Sequence, residues 1–347
     1  MSPSPDTRLA VAAEWLSQFP DLDPLSLRPA SSDASFRRYF RVTSRDHGSR
    51  ILMDAPPDRE PLNAFLQVAG LFDRAGLRVP ARLGASAALG LLLLEDFGDQ
   101  PYLPLLNRET ARPLYESAWR CLVQLQRWGQ DQSPDELALP QYDRTKLLAE
   151  MSLFRTWYVE RHLGVQLTAQ EASGLDVAID QLCERAIRQH QVVVHRDFHS
   201  RNLMVLPETL KANGQPGILD FQDAVVGPLS YDLVCLLRDA YIVWDETEQI
   251  DWAIRYWEAA RQAGVRVPAD FGVFWEDFEW MGIQRQLKVL GIFARLAHRD
   301  AKHEYLKDIP AVLAYASGAA HRYGHLSGLA RLLDRLGQVT TETRLTF

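Results

Sequence analysis

Cysteine is scarce in this sequence. The 347 residues include only Cys121, Cys183 and Cys235, and no two of them stand in a CxxC spacing. A disulfide framework or a thiolate zinc site needs paired or closely spaced cysteines, so we expect neither. A chain without disulfides is typical of a reducing compartment, and we expect this protein in the cytoplasm.

Long apolar runs and an excess of basic residues are lacking as well. No run of eighteen apolar residues occurs, so no membrane-spanning helix is expected. Asp6, Arg8 and Glu14 interrupt the N-terminal segment, where a signal peptide would need a continuous apolar core. The formal net charge of −7 argues against nucleic acid as a partner, because phosphate backbones are bound by basic surfaces. We therefore expect a small-molecule partner, without membrane or nucleic acid, and have no expectation for the oligomeric state.

The overall composition is that of an ordinary folded protein, with 47% hydrophobic and 24% charged residues. The length suits one bilobal unit or two domains. Strand-like patterns dominate before residue 95, and helical periodicity dominates after residue 107. We predict an N-terminal nucleotide-binding lobe over residues 1–95 and a C-terminal catalytic lobe over residues 96–347. No Gly/Ser-rich or Pro-rich spacer separates them, so their junction is expected to be a hinge.

The most informative segment is residues 195–202, which reads His-Arg-Asp-Phe-His-Ser-Arg-Asn. It follows an apolar strand at 192–194 and precedes another at 203–206. The string H-R-D-x-x-x-x-N in such a setting is the signature of a kinase catalytic loop. A third apolar strand then ends on Asp220, after a hairpin-length gap.

Phosphoryl transfer requires three polar side chains that this segment supplies. One carboxylate accepts or orients the proton of the attacking hydroxyl, and an Asn and a second Asp hold Mg²⁺ against the nucleotide phosphates. We accordingly predict Asp197 as the catalytic residue, Asn202 and Asp220 as the metal ligands, and ATP and Mg²⁺ as the cofactors.

In residues 220–223, Asp-Phe-Gln-Asp, and 231–233, Tyr-Asp-Leu, the chain resembles the aminoglycoside phosphotransferase family of small-molecule kinases. The resemblance implies an α+β, bilobal, protein-kinase-like fold. A small antiparallel β-sheet forms its N-lobe, and its C-lobe is mainly helical with catalytic hairpins. Asp232 matches the family's Asp that braces the catalytic loop.

The residues around the catalytic loop and the resemblance suggest further members of the site. His195 is expected to support the catalytic loop by hydrogen bonding. Arg238 and Asp239 match an Arg-Asp pair that lies near the substrate in antibiotic kinases of the family, and Arg238 is also a candidate to bind a carboxylate. Arg201 is a candidate to neutralise the transferring charge, unless it points to solvent.

The opening of the chain predicts the nucleotide-binding strands. A strand at 25–28 and a second at 36–42 flank a small polar loop, which would lie over the phosphates and offer backbone N–H groups. The loop lacks the glycines of protein kinases, but its small side chains allow close approach. The predicted phosphate contacts in it are Ser31, Ser32, Asp33, Ala34 and Ser35.

A lysine is lacking where kinases of this kind need one. The third strand, at 50–54, carries Met53 at the position of the Lys that grips the phosphates. The following helix, at 61–75, has no mid-helix acid to pair with such a Lys. The joint absence is self-consistent, because a buried Glu without its cation would be costly.

Three arginines on the second strand are the candidates to replace that lysine. Arg38 is the first choice, because strand alternation places it on one face with Phe36 and Phe40. Arg37 and Arg41 are the alternatives. The missing lysine also raises the possibility of a pseudokinase, which the intact set of catalytic and metal-binding side chains disfavours.

An Asp-Phe-Gly sequence at 96–98 has the letters of the kinase metal motif, but it precedes the catalytic loop, whereas the metal-binding Asp must follow it. Its place after an apolar strand at 89–94 identifies it as the hinge. Backbone groups from Glu95 to Phe97 are therefore predicted to hydrogen-bond adenine.

These features predict an ATP-dependent small-molecule kinase. Within the family, residues 31–39 and 53–57 resemble bacterial kinases of cell-wall amino sugars and differ from the antibiotic kinases. This resemblance implies an amino sugar as substrate and its C1 hydroxyl as the acceptor. An antibiotic kinase and a non-catalytic nucleotide-binding protein remain the alternatives; the roughly balanced charge of the C-terminal third disfavours a polycationic antibiotic.

Overall fold

The computed structural model describes residues 6–32, 36–211 and 214–344. Its N-terminal part is an antiparallel sheet of five strands in the order β1-β2-β3-β5-β4, which confirms the predicted N-lobe sheet. The strands are Leu22–Ser32 (β1), Arg38–Ser44 (β2), Gly48–Asp54 (β3), Arg82–Ser86 (β4) and Leu91–Glu95 (β5). Helix α1, Thr7–Leu16, precedes the sheet, and helix α2, Asn63–Arg74, links β3 to β4.

The first strand is longer than the predicted 25–28. Its last residues, Ser31 and Ser32, pair with β2, so this part of the predicted phosphate loop is strand. Shifts in the pairing register between β1 and β2 break the alternation from which its length could be predicted. The remaining predicted loop residues lie outside the described residues: Asp33, Ala34 and Ser35.

Both faces of the sheet are covered by helices. Leu91 and Leu93 of β5 pack on the face of α1, in one cluster with Trp15. Leu92 and Leu94 point to the opposite face and pack in the cluster that includes α2. Successive side chains of a strand alternate between faces, so a strand covered on both sides is apolar throughout. This explains the unbroken leucine run of β5.

The C-terminal part is mainly helical, as predicted. Its helices are Ala111–Gly129 (α3), Pro134–Leu137 (α4), Arg144–Leu153 (α5), Ala169–Arg188 (α6), Tyr231–Leu237 (α7), Glu246–Gln262 (α8), Phe271–Asp300 (α9), Ile309–Ala320 (α10) and Ser327–Arg344 (α11). The end of α5 continues as a π-helix, Phe154–His162. Among the helices in the described ranges, none is long and apolar enough to cross a membrane.

Two small antiparallel sheets frame the predicted catalytic loop. The strand before it, Gln191–Val194 (β6), pairs with Val225–Pro228 (β9), which the sequence pattern did not predict. The strand after it, Leu203–Met204 (β7), pairs with Gly217–Ile218 (β8) and is shorter than the expected 203–206. The loop and Asp220 are thus both held at strand ends.

One hydrophobic core runs from the sheet into the helical part. The rings of Phe65 and Phe72 on α2 lie 4.8 and 5.6 Å from the ring of Phe221, which follows Asp220. Helix α2 therefore packs directly on the segment that carries a predicted metal ligand. The sheet ends at Glu95, and the division into lobes at this residue stays a prediction.

Helix α9 passes very close to the end of α5. A Cβ atom added to Gly291 would lie 2.4 Å from the carbonyl carbon of Leu153, so only glycine fits this crossing. The close approach brings Glu150 of α5 within 3.3 Å of Lys288 of α9. Both residues belong to the charged network beneath the catalytic loop that is described below.

We expect Gly291→Ala to push α9 away from α5. Overpacking costs about 1–3 kcal/mol, more than the ~1 kcal/mol that alanine gains over glycine in a helix. The free energy of unfolding, measured by denaturant titration, should therefore fall. Gly318→Ala in α10 is the matched control: its Cβ meets nothing within 4 Å, so this variant should be stabilised. Equal effects of the two substitutions would contradict the close crossing.

Candidate active site

The catalytic loop is held at its start by a buried carboxylate. The backbone N–H groups of His195 and Arg196 donate to the Asp232 carboxylate at 2.7 and 2.9 Å. Burial raises the pKa of Asp232 to about 7, although the two N–H groups act in the opposite direction. Arg196 has φ of 81°, a left-handed conformation that is costly for a residue other than glycine. The two hydrogen bonds compensate for that conformation.

A second buried carboxylate holds the middle of the loop. Asp239 accepts from the backbone N–H of Ser200 at 3.0 Å and from the Ser200 hydroxyl. Asp239 is fully buried and holds the loop through Ser200. Its role beside the substrate, expected from the Arg-Asp pair, receives no support from this geometry.

The imidazole of His195 connects the loop to the segment before Asp220. Its Nδ1 accepts from the backbone N–H of Asp197 at 3.2 Å, and its Nε2 lies 3.0 Å from the carbonyl oxygen of Leu219. This pattern requires the neutral tautomer with the proton on Nε2. Burial lowers the pKa of His195 to about 4, which keeps the ring neutral near pH 7.

The lowered pKa of His195 makes stability depend on pH. The unfolded chain protonates this ring near pH 6.5, whereas the folded chain resists protonation down to about pH 4. Its contribution of about 3 kcal/mol is therefore complete above pH 6.5 and is lost as the pH falls toward 4. In His195→Asn the free energy of unfolding should fall less steeply over this range. The exposed His303→Asn should keep the wild-type slope; the same slope in both variants would contradict the assignment.

The three predicted catalytic and metal-binding residues converge. The side-chain nitrogen of Asn202 donates to the backbone carbonyl of Asp197 at 2.9 Å and lies 3.5 Å from Oδ2 of Asp220. Gln222 orients Asp220 by donating to its Oδ1 at 2.8 Å. Because the nitrogen of Asn202 faces the carbonyl, its Oδ1 is left for a metal ion.

This donor set suits Mg²⁺. Asn202 and Asp220 supply amide and carboxylate oxygens, the hard ligands that Mg²⁺ binds. Within the described ranges, no group of three or more His, Cys, Asp or Glu side chains could hold a metal ion. The oxygens of Asn202 and Asp220 can serve Mg²⁺, which takes its remaining ligands from water and substrate phosphates.

The carboxylate of Asp197 is ionised and able to accept a proton. Its oxygens accept no hydrogen bond from any residue that the structure describes. Burial acts to raise the pKa of Asp197, but the positive charges of Lys288, His199 and Arg196 outweigh it and lower the pKa. The side chain is therefore suited to receive a hydrogen bond from a substrate hydroxyl.

Lys288 and Glu150 form a buried ionic network that sequence reasoning missed. The Nζ of Lys288 lies 3.3 Å from Glu150 and donates to the Tyr231 hydroxyl at 3.0 Å. Glu150 also pairs with Arg196. Two cations thus share Glu150, and Arg196 also lies 4.0 Å from Asp223. Both cations lower the pKa of Asp197. The available signal was the presence of four polar residues among the five at 284–288, within a long buried helix.

Loss of the Lys288 charge should raise the pKa of Asp197. In Lys288→Met the acidic limb of the profile of kcat/KM against pH should therefore move to higher pH, since Asp197 must be ionised to accept a proton. Lys211→Met removes the same charge from an exposed turn between β7 and β8 and should leave the profile in place. An unmoved acidic limb in a folded Lys288→Met protein would contradict the electrostatic role.

Arg238 is placed differently from the expectation. Its guanidinium is buried, donates to Glu279 at 3.2 Å and to Gln249 at 3.1 Å, and lies over the ring of Phe278. These partners engage its side chain within the helical core, so the structure does not support Arg238 as a cation for a substrate carboxylate. Its backbone carbonyl accepts from Arg285 at 3.3 Å.

The side chain of Arg201 extends from the catalytic loop toward two aromatic side chains. Its guanidinium carbon lies 4.7 Å from the ring centroid of Tyr241 and 5.9 Å from that of Tyr305. Tyr241 also packs its ring 5.6 Å from that of His199. Arg201 therefore remains the member of the predicted substrate set whose surroundings suit a ligand contact.

The predicted nucleotide-binding residues are only partly brought to the cleft. Arg38 pairs with Asp54, which is 1% exposed, and with Asp6. The side chain of Glu95 accepts from Arg78 at 2.7 Å. The side chains of Arg38 and Glu95 thus form ion pairs within the N-terminal part, and their proposed contacts with the nucleotide stay predictions.

Phe97 lies where the hinge was expected. Its ring packs against the backbone of β8, since a Cβ atom on Gly217 would lie 2.4 Å from it, and Arg78 covers it at 4.8 Å. Across the described ranges, the backbone N–H and carbonyl of Phe97 make no hydrogen bond. Both groups are thus suited to an adenine edge.

Arg37, which was only an alternative to Arg38, lies within ion-pair distance of the predicted metal ligand Asp220. Nη2 of Arg37 is 3.9 Å from Oδ1 of Asp220, and its Nε is 3.9 Å from Oε2 of Glu60. Alternation could not select it, because Arg37 precedes the first residue of β2, Arg38.

Comparison with known proteins identifies the family of this chain. Residues 26–271 match the family described as Phosphotransferase enzyme family, and the chain belongs to that family. A protein of Neisseria meningitidis serogroup B named N-acetylmuramate/N-acetylglucosamine kinase is 43% identical over 339 residues, covering 96% of this chain and 97% of its own. A protein of the same name from Pseudomonas aeruginosa is 42% identical over 332 residues, covering 95% of this chain and 93% of its own.

Solved structures show the same fold at low sequence identity. The GDP complex of an aminoglycoside 2'-phosphotransferase has a TM-score of 0.60 at 14% identity and covers 92% of this chain and 100% of its own. A spectinomycin phosphotransferase bound to ADP and spectinomycin has a TM-score of 0.59 at 13% identity and covers 89% of this chain and 98% of its own. The predicted kinase-like, bilobal fold is thereby confirmed.

Proposed function

We propose that this protein is an ATP-dependent kinase that phosphorylates the anomeric C1 hydroxyl of N-acetylmuramate and N-acetylglucosamine to the α-1-phosphate, in the recycling of cell-wall sugars. The observation that carries the proposal is the convergence of Asp197, Asn202 and Asp220 in a chain 43% identical, over nearly its whole length, to a kinase of that name. The buried, unpaired cysteines fit the expected cytoplasmic location.

Asp197 orients the attacking hydroxyl and takes its proton. Its lowered pKa makes it a weak base, which suffices because the transition state of phosphoryl transfer is loose and the proton leaves late. The carboxylates of Asp232 and Asp239 hold the loop, so Asp197 needs little rearrangement to receive the sugar.

Asn202 and Asp220 would hold Mg²⁺ through Oδ1 of the amide and the carboxylate. When bound, Mg²⁺ supplies positive charge that neutralises the phosphates during transfer. The backbone of Phe97 would receive the adenine edge. Sequence and geometry together support this arrangement of the nucleotide along the cleft between the sheet and the catalytic loop.

The relatives of this chain favour an amino sugar over an aminoglycoside as the acceptor. Two relatives that match this chain at 42–43% identity are named N-acetylmuramate/N-acetylglucosamine kinase, whereas the aminoglycoside and spectinomycin phosphotransferases match it at 13–14% identity. The complete catalytic set also disfavours a non-catalytic nucleotide-binding protein.

Release of ADP with three acceptors tests the proposal. We expect ADP release with N-acetylglucosamine and N-acetylmuramate and none with kanamycin. Asp197→Asn should lower kcat by about 10²–10⁴-fold, the usual contribution of a general base, while ADP binding is retained. Asp176→Asn, on the exposed side of α6, is the matched control and should keep full activity.

Release with kanamycin alone would make the protein an antibiotic kinase. Binding of ADP without release in the presence of any acceptor would support the non-catalytic alternative. Either result would overturn the proposed function, provided that the wild-type protein is folded in the assay.

A further inference from the structure

The third strand cannot supply the cation that kinases place there. Met53 is completely buried, and its strand neighbours are Tyr39 and Leu92. On the facing helix α2, the buried side chains are apolar, and two of them, Phe65 and Phe72, contact Phe221. Aromatic packing thus occupies the space in which a Lys–Glu pair would lie.

A different ion pair lies at the edge of the same space. Arg37 is 9% exposed and lies between Glu60, which precedes α2, and Asp220. Both distances are 3.9 Å, within ion-pair range but beyond hydrogen-bond range. The pair therefore joins the residue just before β2 to the segment just before α2, close to where a Lys–Glu pair would link the two elements, and it additionally reaches a predicted metal ligand.

The two neighbouring arginines are engaged elsewhere. Arg38 pairs with the buried carboxylate of Asp54, which fixes the junction of β2 and β3. Arg41 donates to Asp96 at 3.0 Å and pairs with Asp99, at the start of the hinge. Neither guanidinium is recorded within ion-pair distance of Asp220, whereas that of Arg37 is.

We propose that Arg37 replaces the missing strand lysine as the cation that holds the nucleotide phosphates, and that Glu60 orients it. This inference rests on the proposed function, since it requires that the cleft bind a nucleotide. A guanidinium presents five donors in a planar fork, which suits phosphate oxygens better than the single ammonium of lysine. Glu60 is a positioning residue, because it acts through Arg37.

A purely structural role of Arg37 predicts a different effect of its loss on stability and nucleotide affinity. If Arg37 only neutralises Glu60 and Asp220, its loss lowers stability and leaves nucleotide affinity unchanged. If it holds phosphates, its loss weakens ADP binding and raises the KM for ATP while the KM for the sugar stays the same. The affinity for ADP can be measured without any acceptor, so it does not depend on activity.

The experiment compares Arg37→Ala, Arg37→Lys and Glu60→Gln by calorimetric titration with ADP and Mg²⁺ and by steady-state kinetics. We expect Arg37→Ala to weaken ADP binding and raise the KM for ATP by about tenfold or more, as expected for the loss of a charged hydrogen bond. Arg37→Lys should recover part of the affinity, and Glu60→Gln should lose less than Arg37→Ala. Arg74→Ala, exposed at the end of α2, is the control and should match the wild type.

Unchanged ADP affinity in a folded Arg37→Ala protein would overturn this inference and leave the proposed kinase intact. If Arg37→Ala does not fold, unchanged affinity in both Arg37→Lys and Glu60→Gln would overturn it equally. A wild-type protein that binds ADP but transfers no phosphate to any acceptor would overturn the proposed function instead.

Discussion

The arrangement of the site depends on one carboxylate buried under the catalytic loop. Asp232 accepts from two successive backbone N–H groups and thereby holds Arg196 in a left-handed conformation. That conformation lets the side chains of two successive residues point in different directions. Arg196 points to Glu150, and Asp197 remains at the cleft. Without the carboxylate, two buried donors would be unsatisfied and the strained backbone would lose its support.

The charges beneath the loop follow from the same geometry. Once Arg196 has been directed to Glu150, that acid is shared with Lys288 from α9, and both cations act on the nearby Asp197. This environment keeps Asp197 ionised in spite of burial. The close crossing of α5 and α9 at Gly291 is therefore coupled to the electrostatics of a residue on a different element.

The predictable part of the site is the part encoded over short distances along the chain. The spacing of Asp197 and Asn202, followed by a hairpin ending at Asp220, identified three residues that the structure brings together. The match to the kinase-like fold was also within reach, because the strand and helix patterns of the two parts differ. Glu150 and Lys288 were not predictable, since they are far from the loop in sequence and meet it only through helix packing.

Two predictions, the substrate role of the Arg238-Asp239 pair and the choice of Arg38, depended on side-chain directions that a sequence pattern does not determine. The Arg238-Asp239 pair was recognised, but the directions of its side chains follow from the end of α7, where they turn into the core. Alternation favoured Arg38 over Arg37, but alternation holds only within a strand, and β2 begins at Arg38. The position of a strand end thus decided which guanidinium lies beside Asp220.

The aromatic contact between α2 and Phe221 has a consequence for how the two halves of the molecule move. Rotating the sheet away from the helical part would separate the rings of Phe65 and Phe72 from Phe221 and expose them to water. Exposing a buried phenylalanine side chain costs about 1.5–3 kcal/mol, so wide opening is rarely populated. The cleft is accordingly preformed, and ligands bind without a large change in its width.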